Sequence, residues 1–500
     1  MRRWRNWQTR TAQDRVVERP WGFKSPPAHV LFPAAVLVLI ALLQLLCVPG
    51  HYLGEEHDDA QYVLAARSVL NGRYSLGILP QDPPLAFVTP GWPLLLAPAA
   101  AASGDAAWGY ELWSWAWLAL CDVLFWLWLK RRAGPWVALA GAAAFGLNPL
   151  VVYRSGVVMS ELPFLAVALG LLLALERPLA GAWSGLLLGF AYLVRPGALP
   201  LFPAAWAVHA RDRRWRDLAA SVLLSLGCVL AWKAWVASAG DRLAEFKELG
   251  LSHPGWGGGL HNLREALLLL VQTMLPWPAP DGLVPLLAGA LLAAASLAGM
   301  AAAFRRGRRL EPASLYILCW IGMHALWPYW YERYLVAALP FLLWGVCEAL
   351  RPAFRSEGLR AAVLAALALL PFPGQTRWLL SGARERSAPE LRETYSWIRE
   401  RTDPAAMFSS AFFCRDALYT GRPTVPLPLG GEEGGPLSRR LSSRRVRYVL
   451  WQDRLDLGSS LGESFHWTRE LDRTALELAG PGFRRVYGNG KEGSAVFEVL

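Results

Sequence analysis

The chain has 500 residues, of which 54% are hydrophobic and only 18% are charged, and its formal net charge is +11. Residues 384–500 hold 34 charged residues, whereas the 383 residues before them hold 55, roughly half that density. The charge-poor part is built from long Leu/Ala/Val/Trp runs, which are typical of a membrane protein. This composition excludes a disordered, collagen-like or disulfide-stapled chain. It also makes the positive charge a signal of membrane topology, and no nucleic acid is expected as a partner.

The N-terminal residues 1–28 are basic and contain no apolar run of the kind that a targeting signal needs. The stretch WRNWQTR within them is similar to the conceptual translation of a leucine transfer RNA gene. We therefore expect residues 1–28 to be a non-native segment ahead of the true start. A basic cytoplasmic tail is the alternative.

Residues 29–383 contain eleven apolar segments that are candidates for membrane crossing, since a helix needs about 20 apolar residues to span a bilayer. They are 29–48, 108–129, 135–152, 158–175, 179–194, 197–210, 217–238, 282–304, 312–327, 334–350 and 359–373. Basic loops occur at 130–132, 211–216, 305–309 and 351–360. The positive-inside rule places these loops on the cytoplasmic side. The first long loop, 50–107, and the tail are then extracytoplasmic, provided that the apolar pieces 92–102 and 263–276 do not cross.

The charge-rich tail, residues 384–500, predicts a small soluble α/β domain. Helical patterns cover PELRETYSWIRERT and WTRELDRTALELAG, and strand patterns cover VRYVLWQ and SAVFEVL. The turn Gly488-Asn489-Gly490 predicts a hairpin that joins FRRVY to SAVFEV. The expected fold class is therefore a polytopic α-helical membrane domain followed by an extracytoplasmic α/β domain.

An acidic cluster, EEHDD at residues 55–59, follows the first apolar segment. Carboxylates held against a bilayer surface are costly to desolvate, so their pKa values tend to rise. A raised pKa suits a general base, and grouped carboxylates suit a divalent cation. The alternative is a solvated loop in which an aspartate caps the helix that follows.

The pattern His57-Asp58-Asp59-Ala60-x-Tyr62 resembles the D-[DE]-A-x-Y motif of GT-C-type glycosyltransferases. These are multi-span enzymes related to protein O-mannosyltransferases and lipid A aminoarabinose transferases. Further stretches are similar to motifs of that family, in the same order, up to residue 422. They are Pro90–Leu96, Gly104-Asp105, Ser160–Phe164, Val194-Arg195-Pro196, Glu332–Leu335 with Pro340, Trp397–Glu400 and Tyr419–Arg422.

The resemblance implies a GT-C fold in a bacterial cell membrane and an inverting transfer of sugar on the extracytoplasmic face. The donor would be a sugar linked to a polyprenyl-phosphate carrier. The acceptor would be a hydroxyl or phosphate of a lipid, glycan or protein. Asp58 matches the family's catalytic acidic residue, which is expected to deprotonate the acceptor, and Asp59 matches the second acidic position.

A carrier phosphate at the membrane surface needs cationic partners. Arg195 and Arg333 lie at extracytoplasmic ends of predicted spans, and Glu161, His57 and Tyr331 complete the candidate substrate-binding residues. Arg154 lies near the same face, and snorkelling at a helix end is the alternative for each of these arginines. An ion pair with one of the arginines is the alternative for Glu161.

A divalent cation is the cofactor that the resemblance suggests, and no organic cofactor is expected. The candidate metal ligands are Asp59 and Glu56, with Asp82, Glu55 and His57 as alternatives. The aminoarabinose transferases carry an acidic–basic pair where this chain has Val88-Thr89, so a metal site like theirs is not implied.

Two other classes of protein remain open. A transporter or flippase for lipid-linked glycans would need ionisable residues within the membrane, for which Asp122 and Lys233 are candidates. A non-enzymatic envelope assembly protein would use the tail as a binding module.

Overall fold

The computed structural model describes residues 28–47, 51–178, 180–239, 268, 283–307, 311–325, 332–369, 391–428, 435–453 and 472–500. The apolar piece 263–276, apart from Leu268, and Tyr331 lie outside these ranges, as does the N-terminal segment up to residue 27.

Among the described residues up to 369, helices occupy the predicted apolar segments, and two further helices lie within the loop 50–107. Their bounds are α1 Ala28–Cys47, α2 Asp58–Leu70, α3 Gly91–Ser103, α4 Ala107–Ala133, α5 Pro135–Gly146, α6 Pro149–Gly156, α7 Glu161–Ala174, α8 Gly181–Val194, α9 Leu201–Arg211, α10 Trp215–Ser238, α11 Leu283–Gly307, α12 Pro312–Ala325, α13 Leu339–Leu350 and α14 Glu357–Leu369. Two short 3-10 helices, Pro196–Ala198 and Glu332–Ala337, precede α9 and α13.

The predicted segment 135–152 is divided into α5 and α6, which meet at an angle of 57°. Asn148 caps the second helix, because its side chain accepts a hydrogen bond from the backbone N–H of Leu150 at 3.1 Å. Pro149 occupies the first helical position, where its missing N–H costs nothing. The Asn-Pro pair therefore explains the break.

Three helices of the described residues are long and apolar enough to cross a membrane, namely α4, α10 and Leu286–Gly307 of α11, and the bent pair adds a fourth. Shorter helices such as α7, with 14 residues, reach about 21 Å, whereas the hydrocarbon core is about 30 Å thick. The total of eleven crossings therefore stays a prediction. Leu223, Leu230 and Leu291 project outward with 67–71% of their surface exposed, as side chains that face lipid would.

Close packing of α8 on α10 depends on three glycines spaced four residues apart. A Cβ at Gly181, Gly185 or Gly189 would lie 1.9, 2.8 or 2.4 Å from the nearest atom of α10. Small residues at this spacing let two helix backbones approach closely inside a membrane. Helix α13 is buried along nearly its whole length, so it forms part of the core.

The C-terminal part combines helices with a mixed sheet, as the sequence predicts. Its elements are α15 Arg392–Arg401, β1 Phe408–Ser410, α16 Phe413–Thr420, β2 Thr424–Pro426, α17 Leu437–Ser443, β3 Tyr448–Gln452, β4 Phe483–Asn489 and β5 Ser494–Val499. The sheet order is β2-β1-β3-β5-β4. Strand β1 pairs in parallel with β2 and β3, whereas the pairs β3–β5 and β4–β5 are antiparallel.

The hairpin of β4 and β5 is confirmed, but its predicted turn is wrong. Gly488 and Asn489 belong to β4, and Asn489 pairs with Ser494. The turn is formed by residues 490–493, in which Gly493 has φ +59. The Asn489 side chain accepts hydrogen bonds from the N–H groups of Lys491 and Glu492, at 3.0 and 3.3 Å. This Asx-type contact stabilises a longer turn than the two-residue one that Asn-Gly favours.

The C-terminal part packs directly on the first long loop, residues 50–107. One buried apolar cluster contains Ala60 and Ala65 of α2 together with Phe413, Cys414 and Ala417 of α16. Helix α2, which carries the acidic cluster, is therefore held between the helical bundle and the C-terminal part.

Candidate active site

Asp58 and Asp59 begin helix α2, where the positive end of the helix dipole stabilises carboxylates. The two side chains face different surroundings. Asp58 keeps 36% of its side chain exposed, whereas Asp59 is 1% exposed. Only the first of them is therefore open to a substrate.

Arg333 lies beside the exposed carboxylate. Its Nη1 donates a hydrogen bond to Oδ2 of Asp58 at 2.9 Å, and 13% of its side chain is exposed. Arg333 belongs to the 3-10 helix that precedes α13, so the pair joins helix α2 to a part of the bundle that is distant in the sequence. A predicted base and a predicted phosphate-binding residue are thus adjacent.

Glu161 connects the two predicted arginines. It is buried at 2% exposure, and its Oε1 lies 2.9 Å from Nη1 of Arg195 and 3.7 Å from Nε of Arg333. Nη1 of Arg195 also donates to the Ser160 hydroxyl at 2.8 Å. The ring of Tyr334 lies near both guanidinium groups, at 5.4 and 5.7 Å. Glu161 is therefore an ion-pair partner of two arginines, and it fixes their orientation.

Arg154 holds a second group of charges next to the first. Its guanidinium is 2.6 Å from Glu56 and 2.9 Å from Glu332, and the side chain is 7% exposed. Snorkelling accounts poorly for an arginine buried between two carboxylates. Because Glu332 precedes Arg333 in the chain, Arg154 also fixes the turn that carries Arg333.

Asp59 stabilises the turn before α2. Its Oδ2 accepts a hydrogen bond from the backbone N–H of Gly54 at 2.6 Å. Burial raises the pKa of Asp59 to about 7, and the Gly54 hydrogen bond opposes that rise. The contact gives Asp59 a role in shaping the loop that presents Asp58.

His57, a candidate for substrate binding, faces the C-terminal part. Its ring packs edge-on against Phe412 and Phe413, with centroids 5.7 and 5.1 Å away. Burial lowers the pKa of His57 to about 4, so the ring is neutral at physiological pH. The structure thus brings Asp58, Glu161, Arg195 and Arg333 together and gives His57 different neighbours, while Tyr331 lies outside the described residues.

The C-terminal part also contacts the loop at Gly54, which has φ +97. A Cβ at this position would lie 2.3 Å from Cγ of Arg415. Nε of Arg415 donates to Asp416 at 3.0 Å, and the same carboxylate oxygen accepts from the Tyr395 hydroxyl at 2.7 Å. Hydrogen bonds thus link Tyr395, Asp416 and Arg415, and Arg415 packs against the loop at Gly54.

The candidate metal ligands do not converge. Glu56 pairs with Arg154, Glu55 with His51 at 2.8 Å, and Asp82 accepts from Gly77 at 3.0 Å. Within the described ranges no group of three or more His, Cys, Asp or Glu side chains is arranged to hold a metal ion. The divalent cation therefore stays a prediction.

Asp122, the candidate of the transporter hypothesis, is 2% exposed within α4. The Gln44 side-chain amide donates to its Oδ2 at 2.6 Å and to the carbonyl of Gly146 at 2.9 Å. This contact links α1, α4 and α5, which is a structural role.

No family model and no curated protein matches the sequence. Solved structures with a similar fold include ArnT from Cupriavidus metallidurans bound to undecaprenyl phosphate, with a TM-score of 0.57 at 15% identity over 94% of this chain and 98% of that one. They also include the oligosaccharyltransferase of Archaeoglobus fulgidus tethered to an acceptor peptide, with a TM-score of 0.55 at 12% identity over 94% of this chain and 74% of that one. The likeness at these identities is one of fold. The chain has the GT-C-like fold that its motifs predict.

Proposed function

We propose that this protein is an integral membrane glycosyltransferase that uses a polyprenyl-phosphate-linked sugar as donor on the extracytoplasmic face. The observation that carries the proposal is the open carboxylate of Asp58 beside Arg333, with Arg195 held behind it by Glu161. A general base next to guanidinium groups is what transfer from a phosphate leaving group requires. The GT-C-like fold supports the same class of reaction, since ArnT of that fold has been solved with undecaprenyl phosphate.

The donor phosphate would bind where Arg333 now contacts Asp58. Phosphate oxygens accept hydrogen bonds from guanidinium groups in a well-matched geometry, so the phosphate would take over Arg333 and leave the Asp58 carboxylate unpaired. Arg195 is kept in place by Glu161 and Ser160 and would supply the second cation. Substrate binding would thus release the base from its ion pair.

The transfer is then a single displacement. Asp58 takes the proton of the acceptor hydroxyl while the acceptor oxygen forms a bond to the anomeric carbon of the sugar. The bond from that carbon to the phosphate oxygen breaks, and its electron pair leaves with the carrier phosphate, whose charge Arg333 and Arg195 stabilise. One displacement inverts the anomeric configuration, as the family resemblance implies.

Two experiments test the class of protein and its substrates. Mass spectrometry of the envelope glycoconjugates of a knockout strain would identify the sugar that disappears and its acceptor. Proteoliposomes that contain the purified protein and the matching lipid-linked donor would then show sugar transfer without net movement of lipid between leaflets. Lipid movement without transfer would contradict the proposal and favour a flippase. Neither transfer nor movement, with a phenotype that depends only on residues 384–500, would favour an assembly protein.

A further inference from the structure

A second group of arginines lies at the far end of α13 from Arg333. Arg306 is in the last turn of α11, Arg351 directly follows α13, and Arg360 is in the first turn of α14. Arg306 and Arg351 contact the same oxygen of Glu348, the latter at 3.5 Å, and this glutamate is 3% exposed. We refer to Arg306, Arg351 and Arg360 as the arginine site.

Two buried donors of Arg360 lack an acceptor among the residues that the structure describes. Its side chain is 7% exposed, and neither Nε nor Nη1 has a hydrogen-bond partner within the part of the chain that the structure describes. A guanidinium removed from water without an acceptor is strongly unfavourable. The burial of Arg360 therefore indicates that an acceptor belongs beside it.

The positive charges around Arg360 favour an anion as its ligand. Arg351 and Arg360 lie on either side of the short loop between α13 and α14, and Arg306 meets Arg351 at Glu348. Glu348 is the carboxylate that Arg306 and Arg351 share, and it neutralises one of their two charges. The N-terminus of α14 adds the positive end of a helix dipole at Arg360.

We propose that the arginine site binds a phosphate group, and that in the membrane this group is the headgroup of an anionic phospholipid. Guanidinium forks match phosphate oxygens in geometry and charge. The site lies on the face that the basic loops predict to be cytoplasmic, at the end of the apolar helix α11, which is the level of the lipid headgroups. Basic pockets between helices on that side are suited to anionic headgroups. The proposal is independent of the transferase activity.

The test uses the full chain, purified in a neutral detergent and stripped of lipid. Phosphatidylglycerol and phosphatidylcholine with identical tails are the probes, native mass spectrometry measures their retention, and thermal unfolding measures stabilisation. Phosphatidylglycerol is expected to bind about tenfold more tightly and to raise Tm more, because only its headgroup carries a net negative charge. Equal retention and equal stabilisation by the two lipids would overturn the proposal.

Inorganic phosphate identifies the source of the phosphate group. If it raises Tm and displaces phosphatidylglycerol, a soluble phosphate compound can fill the arginine site. If it does neither while phosphatidylglycerol binds, the lipid is the ligand. Both results support a phosphate site and differ only in what delivers the phosphate.

A substitution separates ligand binding from a structural role. Arg360→Met keeps an unbranched apolar side chain in the place of the arginine stem and removes the guanidinium charge. The lipid-free variant should therefore unfold at a temperature no lower than the wild type, while phosphatidylglycerol binds about tenfold more weakly. The control Arg355→Met removes an exposed charge of the same loop and should change that affinity less than about twofold. Earlier unfolding of lipid-free Arg360→Met with unchanged phosphatidylglycerol affinity would overturn the proposal.

Arg351→Gln keeps the proposal testable if Arg360→Met does not fold. Arg351 is 48% exposed, so its replacement should leave the fold intact. Phosphatidylglycerol should then bind about threefold more weakly, since a half-exposed arginine contributes less than a buried one. Unchanged affinity in this variant would count against the arginine site.

Discussion

The Asp58 carboxylate lies 2.9 Å from Nη1 of Arg333, although 275 residues separate the two in the sequence. The residue next to each partner makes a contact that holds the local backbone. Asp59 accepts a hydrogen bond from Gly54 in the loop before α2, and Glu332 pairs with Arg154. These contacts hold Asp58 and Arg333 in position, and we expect a donor phosphate to compete with Asp58 for Arg333.

Arg333→Gln should lower the rate of sugar transfer about 100-fold or more, because the leaving phosphate loses its nearest cation. Arg333→Lys restores a charge without the planar fork and should recover part of that loss. Initial rates in proteoliposomes measure both. As the control, Arg67→Gln removes an arginine of α2 that pairs with the exposed Asp105 and should transfer at nearly the wild-type rate. Equal rates for Arg333→Gln and Arg67→Gln would show that Arg333 does not act on the donor.

Asp59 should make the protein less stable as the pH rises. Its pKa is about 7 in the folded protein and 3.8 ordinarily, so between these values the folded state holds a proton that the unfolded state has lost. The contribution of Asp59 to the free energy of unfolding is full below pH 3.8. It falls by on the order of 4 kcal/mol as the pH rises from 3.8 to 7. Asp59→Asn keeps an oxygen that can accept from Gly54 and should remove this decline, as thermal unfolding at several pH values would reveal. An unchanged pH slope would refute the assignment.

His57 should have the opposite effect, at lower pH. Its pKa is about 4 in the folded protein and 6.5 ordinarily, so the unfolded state gains a proton first as the pH falls. The stability that the neutral ring contributes is complete above pH 6.5 and is lost between pH 6.5 and 4. His57→Asn suits the positive φ of 61 and should remove that loss, measured by thermal unfolding in acid. A persistent loss of Tm over this range would assign it to other groups.

Gly54→Ala should reduce both stability and transfer, for two separable reasons. The substitution imposes a positive φ on alanine, which costs roughly 1 kcal/mol, and it places a Cβ 2.3 Å from Cγ of Arg415. The matched control is Gly72→Ala, which has φ +71 but no atom within 4 Å. Thermal unfolding and transfer rates should show a clearly larger effect at Gly54. Adding Arg415→Ala should relieve part of it, and equal effects at Gly54 and Gly72 would mean that the C-terminal part does not support the loop.

The sequence predicts many of the helices, because apolar runs are local signals. Its motifs point to Glu161, Arg195 and Arg333 as site residues, and the structure places these three side chains close together, while their role in binding stays a prediction. The alternative for Glu161 is an ion pair with one arginine. In the structure its carboxylate lies near two, 2.9 Å from Arg195 and 3.7 Å from Arg333.

The contacts that depend on tertiary structure could not be predicted in the same way. Arg154 looks like a snorkelling side chain until Glu56 and Glu332 are seen on either side of it. Arg415 lies in the tail, and only the packing of α16 on α2 brings it to Gly54. In the sequence, the neighbouring opposite charges of Glu332 and Arg333 are the signal of this network of ion pairs. The turn at residues 490–493 differs from the predicted one because the Asn489 side chain accepts a hydrogen bond from the turn while its backbone remains in β4.

The most direct measurement compares Asp58→Asn with Asp105→Asn in the proteoliposome transfer assay. Asp105 belongs to the same long loop, residues 50–107, and is 94% exposed, so its replacement removes the same charge without touching the candidate site. We expect Asp58→Asn to fold and to retain the lipid-linked donor but to transfer sugar at least about 1000-fold more slowly, while Asp105→Asn transfers at the wild-type rate. Transfer by Asp58→Asn at a rate near that of Asp105→Asn would contradict the central claim that Asp58 is the catalytic base.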